Sequence, residues 1–225
     1  MTLPRQVKAV VFDMDGLLVD TETVYSQAIM GTAQEQGHDF PVVLFHRMIG
    51  SNDQDSRRIL LEHFGQDFDF EGFWKLTSQR FYELAAGGIA LKAGVLEILD
   101  ALDRLGLPYA VAISSPHHSV EHSLSRHGLP PRFHTIVARG DYARGKPAPD
   151  PYLVAAERLG VAPADCLGLE DSYNGVRAAH AAGMMTVMVP DVLAATEEMQ
   201  SLCVRIARDL HEVRELLELQ HVQRD

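Results

Sequence analysis

Beyond the glycine pair Gly87-Gly88, helix-patterned and strand-like stretches alternate four times, and few architectures accept that order. Val95, Leu96, Ile98, Leu99, Leu102 and Leu105 recur at helical spacing and stop at Gly106, which suits a C-cap. Residues 109–113 are a short apolar run, a polar helical stretch reaches His127-Gly128, and residues 135–138 form the next run. Pro151 opens a helix ending at Leu159-Gly160. Residues 166–169 are again strand-like, 175–182 are helical before Gly183, and 185–189 make the last strand. Strands separated by crossover helices predict an α/β chain with a parallel sheet covered on both faces. Right-handed crossovers make that sheet Rossmann-like and doubly wound. The tail, residues 197–220, reads as one helix packed outside the sheet, with Leu210, Val213, Leu216 and Leu217 turned inward.

Another strand stands at the start of the chain. Val7 to Phe12 is apolar but for Lys8, and it ends in Asp13-Met14-Asp15-Gly16. Residues 17–21 read as a turn out of the sheet, with Asp20 or Thr21 able to cap a helix carrying Val24, Ala28 and Ile29. From there to about Ala86 apolar residues recur at three- and four-residue steps with no β-branched run, so the segment is an all-helical insert. The expected bodies are a core of residues 1–17 and 91–225 and a helical cap of residues 18–90. An insert joined by two neighbouring stretches of backbone can close as a lid.

A formal charge of −11 argues against a general nucleic-acid or anionic-membrane binder, which needs a positive field. It leaves room for a small anionic substrate at a locally positive site. Cys166 and Cys203 form no CxxC pair, so neither a disulfide framework nor a zinc site is indicated, which fits a reducing compartment. No targeting core or membrane-length apolar stretch stands out, and a soluble, cytoplasmic protein is expected. Oligomeric state leaves no mark in the sequence.

Ligands of open parallel sheets bind outside the carboxyl ends of the strands. This chain places Asp13 and Asp15 at the first such end, and Ser114 and Ser115 at the next. Arg144-Gly145-Lys146-Pro147 follows the third, and Glu170-Asp171 ends the fourth. Carboxylates this close raise each other's pKa, so a cation belongs among them, and Mg²⁺ suits an all-oxygen set. A turn or N-cap role would explain any one of these residues. It does not explain the ordered set.

The stretches Asp13-Met14-Asp15-Gly16-Leu17-Leu18-Val19-Asp20-Thr21-Glu22, Ser114, Gly145-Lys146-Pro147-Ala148-Pro149-Asp150-Pro151 and Glu170-Asp171-Ser172-Tyr173-Asn174-Gly175 resemble, in order and spacing, the four motifs of the haloacid dehalogenase-like superfamily. The resemblance is to its β-phosphoglucomutase-like and phosphatase branch with a helical, C1-type cap. It implies that Asp13 is the nucleophile forming an aspartyl-phosphate, and that Asp15 is the general acid and base. It implies Mg²⁺ held by Asp13, the Asp15 carbonyl and Asp171, with Glu170 in support. Lys146 would pair with the phosphate and Asp13, and Ser114 and the Ser115 amide would bind phosphoryl oxygens.

Members that dehalogenate carbon lack an acid at the Asp15 position, because halide leaves without a proton. The cap lysine used for phosphonate hydrolysis has no match here. Mutases of the branch carry a cap arginine for a second phosphate, where this chain has Asp53, and a histidine where it has Tyr25. The implied activity is therefore a Mg²⁺-dependent phosphatase acting on a small phosphorylated metabolite such as a sugar phosphate, polyol phosphate or nucleoside monophosphate. A sugar phosphomutase, and a catalytically idle binding protein on the same fold, are the alternatives. Glu22, Asn52 and Arg47 are the candidate substrate contacts in the cap. His117, His118, His122 and His127 read as a solvated helix face, and Trp74 with Phe64, Phe68, Phe70 and Phe73 as the cap's own core. Cys166 is expected to be buried and inert.

Overall fold

The computed structural model describes residues 3–51 and 53–222. The chain runs β1 (Ala9–Phe12), α1 (Thr21–Glu35), α2 (Val42–Met48), α3 (Asp53–Phe64), α4 (Phe70–Ala85), α5 (Val95–Leu105), β2 (Tyr109–Ala112) and α6 (His117–Leu124). It continues through β3 (Thr135–Val137), α7 (Asp150–Leu159), β4 (Cys166–Glu170), α8 (Tyr173–Ala181) and β5 (Met185–Met188). The last elements are α9 (Glu197–Leu202), β6 (Arg205–Ile206) and α10 (Leu210–Val222). Among the described residues six strands form one sheet in the order β3-β2-β1-β4-β5-β6, every pair parallel. The α/β, Rossmann-like reading holds. The order reverses beside β1, which puts the end of β1 at the topological switch point.

Every residue of β1, β2, β4 and β5 is buried, as a sheet covered on both faces requires. On one face Ala9, Val11, Ala110 and Ala112 meet Ala155, Ala156, Ala178 and Ala179 of α7 and α8. Small side chains there let the two helices lie close to the sheet. Elsewhere in the core, Phe12, Tyr109 and Phe133 meet edge to face, with ring centroids 5.5–6.4 Å apart.

By backbone contacts the chain divides into Met1–Val19 with Leu91–Asp225, and Asp20–Ala90. The crossings are paired: Val19 bridges Leu91, and the Asp20 amide donates to the Ala90 carbonyl at 2.9 Å. Asp20 stands at the N-cap of α1, although its side chain makes no capping hydrogen bond. The second unit holds α1 to α4 around its own core, in which Phe70 and Phe73 are buried and Phe64, Phe68 and Trp74 pack against it.

The tail departs from the expected single helix. Helix α9 stops at Leu202, residues 203–209 break the helical run, and α10 starts at Leu210. Residues 203–206 fall inside the stretch expected to be helical. Instead β6 extends the sheet, its register pairing Val187 with Arg205 and Met188 with Ile206. The Val204 and Ala207 amides donate to the Thr186 and Met188 carbonyls, each at 2.8 Å. An open strand edge outcompeted local helix propensity, and the Asp209 carboxylate restarts the helix by accepting from the Glu212 amide at 2.9 Å. Leu210, Val213 and Leu217 are buried as expected, whereas Leu216 is half-buried.

No helix among the described residues is long and apolar enough to cross a membrane. Cys166 is fully buried, and burial pushes its thiol up to about 11; burial does the same for Cys203. Neither thiol is then a ready nucleophile. Native protein at pH 8 is expected to react with an aromatic disulfide reagent far more slowly than unfolded protein, which should titrate both cysteines. Fast reaction of native Cys166 would contradict its burial.

Candidate active site

At the end of β1 the Asp13 amide still donates to the Leu169 carbonyl at 2.9 Å, so the sheet ladder fixes its position. The chain then turns sharply, the amides of Leu17, Leu18 and Val19 all converging on the Met14 carbonyl. Gly16 makes that turn with φ +80°. A side chain at 16 would also collide with the Asp171 carboxylate, so glycine is required twice over.

Lys146 reaches this point from the loop after β3. Its Nζ donates to Asp13 Oδ1 and to Glu170 Oε1, each at 2.5 Å, and all three side chains are buried. Glu170, fully shielded from solvent, is held from every side. Its Oε1 also accepts from the Tyr152 hydroxyl at 2.8 Å, and its Oε2 accepts from the Asp171 amide and from the Ser172 amide and hydroxyl. The Tyr152 ring lies 5.1 Å from the Lys146 ammonium, adding a cation–π contact. Gly175 supplies the room for Glu170, since a Cβ there would overlap its carboxylate.

Carboxylate oxygens of Asp13, Glu170 and Asp171 lie within 4.8 Å of one another, all three residues buried. Burial is the main force pushing the Asp13 carboxyl up to about 8; Lys146 pulls it down, and Glu170 and Asp15 push it further up. Burial alone would lower the Lys146 ammonium, but Asp13 and Glu170 outweigh it and its pKa lies above the ordinary lysine value. One lysine faces more negative charge than it can neutralise, and the donors are all oxygen. The residues therefore fit a small, hard divalent cation. Both Glu170 oxygens are already engaged by protein donors, and Asp13 Oδ1 by Lys146.

The second strand end closes on the first. Ser115 Oγ lies 3.5 Å from Asp15 Oδ2, so the segment after β2 brings the Ser115 hydroxyl to the Asp15 side chain. The loop after β3 braces that segment: the Arg139 amide donates to the Ser115 carbonyl at 3.0 Å, and Arg139 Nε to the Ser114 carbonyl at 3.1 Å. The Tyr142 hydroxyl donates to the Ile113 carbonyl at 2.8 Å. Asp13, Asp15, Ser115, Lys146, Glu170 and Asp171 thus share one edge of the sheet, with Ser114 beside them.

The cap candidates are placed differently. Glu22 sits half-buried in the first turn of α1, where it and Asp53 add to the burial that raises the Tyr25 phenol. Arg47 is exposed and pairs with Glu62 at 3.0 Å, an acid it shares with Arg58. Asn52 lies outside the described residues. His117, His118, His122 and His127 are all exposed, with His117 paired to Asp141 at 2.9 Å. Tyr152, Arg139, Tyr142 and Asp191 escaped the sequence reading, and Ser172 entered it only as a member of the fourth motif. Asp191 alone had a signal, since it follows the last strand as Asp13 follows the first.

The family model for haloacid dehalogenase-like hydrolase matches residues 7–183. A Drosophila melanogaster protein named "Probable pseudouridine-5'-phosphatase" is 36% identical over 86% of this chain and 86% of its own. The phosphorylated carbohydrates phosphatase of Thermotoga maritima is 32% identical over 79% of this chain and 82% of its own. The crystal structure of CbbY from Rhodobacter sphaeroides in complex with phosphate superposes with a TM-score of 0.77 at 28% identity, covering 92% of this chain and 96% of that one. The match runs from the first residues of the β1 segment past the Glu170-Asp171 pair, and the chain belongs to the haloacid dehalogenase-like hydrolases.

Proposed function

We propose that this hydrolase cleaves a small phosphomonoester, such as a sugar phosphate, a polyol phosphate or a nucleoside monophosphate, in a Mg²⁺-dependent reaction through an aspartyl-phosphate. The observation that carries the reading is the buried Lys146 ammonium held against Asp13 Oδ1, with Asp171 alongside and Asp15, two residues past Asp13, beside Ser115 of the next strand end. Asp13, the Asp15 carbonyl and Asp171 are the residues that would hold Mg²⁺, which when bound shields the negative charge of nucleophile and phosphate from each other.

Asp13 then attacks phosphorus, forming an acyl phosphate as the ester P–O bond breaks. Asp15 gives the departing alcohol its proton, and afterwards takes one from the water that attacks the acyl phosphate. Inorganic phosphate leaves, and Asp13 and Asp15 return to their starting states. Acid–base help of this kind is worth ~10²–10⁴-fold. Lys146 places fixed positive charge beside the oxygens on which it builds up, and Ser114 and the Ser115 amide hold the remaining phosphoryl oxygens. Glu170 fixes the lysine rather than touching substrate.

By the resemblance, Asp53 and Tyr25 stand in place of the arginine and histidine that serve a mutase, which favours a single phosphate over two. The relatives named above support the phosphorylated substrate class. Phosphate release from a panel of metabolite esters, with Mg²⁺ and with EDTA, tests the reading. Turnover of several esters is expected with the metal, and a loss of at least ~10²-fold without it. Full activity in EDTA would refute the metal dependence. Conversion of β-glucose 1-phosphate to glucose 6-phosphate without phosphate release would favour the mutase instead.

A further inference from the structure

All six parallel strands bring their carboxyl ends to one edge, and the segment after β5 has no part in the reaction above. It carries Asp191. The Val189 amide donates to the Glu170 carbonyl at 2.7 Å, so the segment after β5 stays in step with the one that bears Asp171. Asp191 Oδ1 accepts from Lys92 Nζ at 2.6 Å, and the Lys92 amide is itself anchored on the Leu18 carbonyl at 3.0 Å. Asp191 Oδ2 is closed from solvent and has no hydrogen-bond partner among the described residues. A buried anionic oxygen without a donor is unusual and costly.

Its direction is given by Gly16. The point where a Cβ of residue 16 would stand is 3.5 Å from Asp191 Oδ2 and overlaps the Asp171 carboxylate. The place a side chain at Gly16 would take is filled by the Asp171 carboxylate, and Asp191 Oδ2 stands beside it. Asp191 does not belong to the group of carboxylates within mutual ligand reach, which comprises Asp13, Glu170 and Asp171. It stands one layer further out.

We infer that Asp191 is a positioning residue for the divalent cation, accepting a hydrogen bond through Oδ2 from water in the ion's hydration shell. This rests on the metal site proposed above. Mg²⁺ demands six oxygens and gives up water reluctantly, so three protein oxygens leave coordination positions to water and phosphate. Water polarised by a dication is a strong donor, and it supplies what Oδ2 lacks. Lys92, engaged on Oδ1, keeps Oδ2 fixed in direction. Such outer partners change metal affinity by ~10–100-fold.

The test is calorimetric titration of Mg²⁺ and of Ca²⁺ into the EDTA-stripped full chain, for wild type, Asp191→Asn, Asp191→Ala and Asp171→Asn. Melting in EDTA is measured for each. Both Asp191 variants are expected to melt as wild type does in EDTA yet bind Mg²⁺ ~10-fold more weakly. Ca²⁺ accepts more protein ligands and depends less on ordered water, so its affinity should fall by less. Asp171→Asn should lose tight binding of both ions. If Asp171→Asn binds Mg²⁺ like wild type, the metal site itself is wrong and the role of Asp191 falls with it. If Asp171→Asn fails to bind while the Asp191 variants bind normally, only the role of Asp191 is overturned. Equal weakening of Mg²⁺ and Ca²⁺ would also overturn it, because that is the signature of lost charge alone.

Discussion

Asp13→Asn is expected to lower phosphate release on the order of 10⁴-fold or more, the scale seen when a covalent nucleophile is removed. An amide cannot form the acyl phosphate, so acid-quenched protein should carry no label from a radiolabelled phosphoester that labels wild type. Folding should not suffer. Burial already holds the Asp13 carboxyl up at about 8, well above the ordinary carboxylate value, so the folded, metal-free chain pays to keep that group charged. The neutral amide has the same shape, and Lys146 retains Glu170 as a partner at 2.5 Å. Melting in EDTA should be unchanged or slightly raised. A variant that keeps its rate would remove the nucleophile from this account, and one that no longer folds would make Asp13 a structural residue first.

Lys146→Met should fail in both respects. It leaves Asp13 and a fully buried Glu170 facing each other without a cation. Stranding one side of a buried ion pair costs about 3–5 kcal/mol, which corresponds to a melting-temperature loss on the order of 10 °C for a chain of this size. The Tyr152 hydroxyl and the amides of Asp171 and Ser172 still bond Glu170, which keeps the loss from being larger. Phosphate release should fall on the order of 10³-fold, as when one preorganised donor to a developing charge is lost. Arginine is a poor replacement, because Nζ is gripped between two carboxylates against the Tyr152 ring and the planar guanidinium needs a wider slot. Differential scanning fluorimetry and a phosphate-release assay check the two losses separately. Wild-type melting for Lys146→Met would mean that Asp13 and Glu170 do not depend on it.

Strand ends could be read directly from the sequence because each apolar run stops at a chemically loaded residue. Asp13, Ser114 and Glu170-Asp171 all follow this rule, and the sheet brings their segments to one edge. Lys146 is at the same edge although it lies nine residues beyond Val137, the last residue of β3. What the sequence hid were interactions made across the fold. Tyr152 looks like an ordinary apolar position of α7, and only packing turns its hydroxyl to Glu170. Glu170 reads as one of two adjacent acids, and nothing local separates it from Asp171. In the structure Glu170 is enclosed by donors from Lys146, Asp171 and Ser172, whereas the Asp171 carboxylate stands against Gly16. The strand at Arg205–Ile206 was missed because two residues carry too little periodicity and the residues that pair with them lie eighteen positions earlier.

That short strand has a consequence for how the molecule behaves among copies of itself. An open border of paired-strand backbone invites a neighbouring polypeptide to dock and continue the ladder. Here one border is the three-residue β3 and the other the two-residue β6, whose Arg205 is engaged by Glu212. Neither offers a long template, so the interior strands β1 and β4 that carry Asp13 and Glu170 are insulated from intermolecular zippering at both margins.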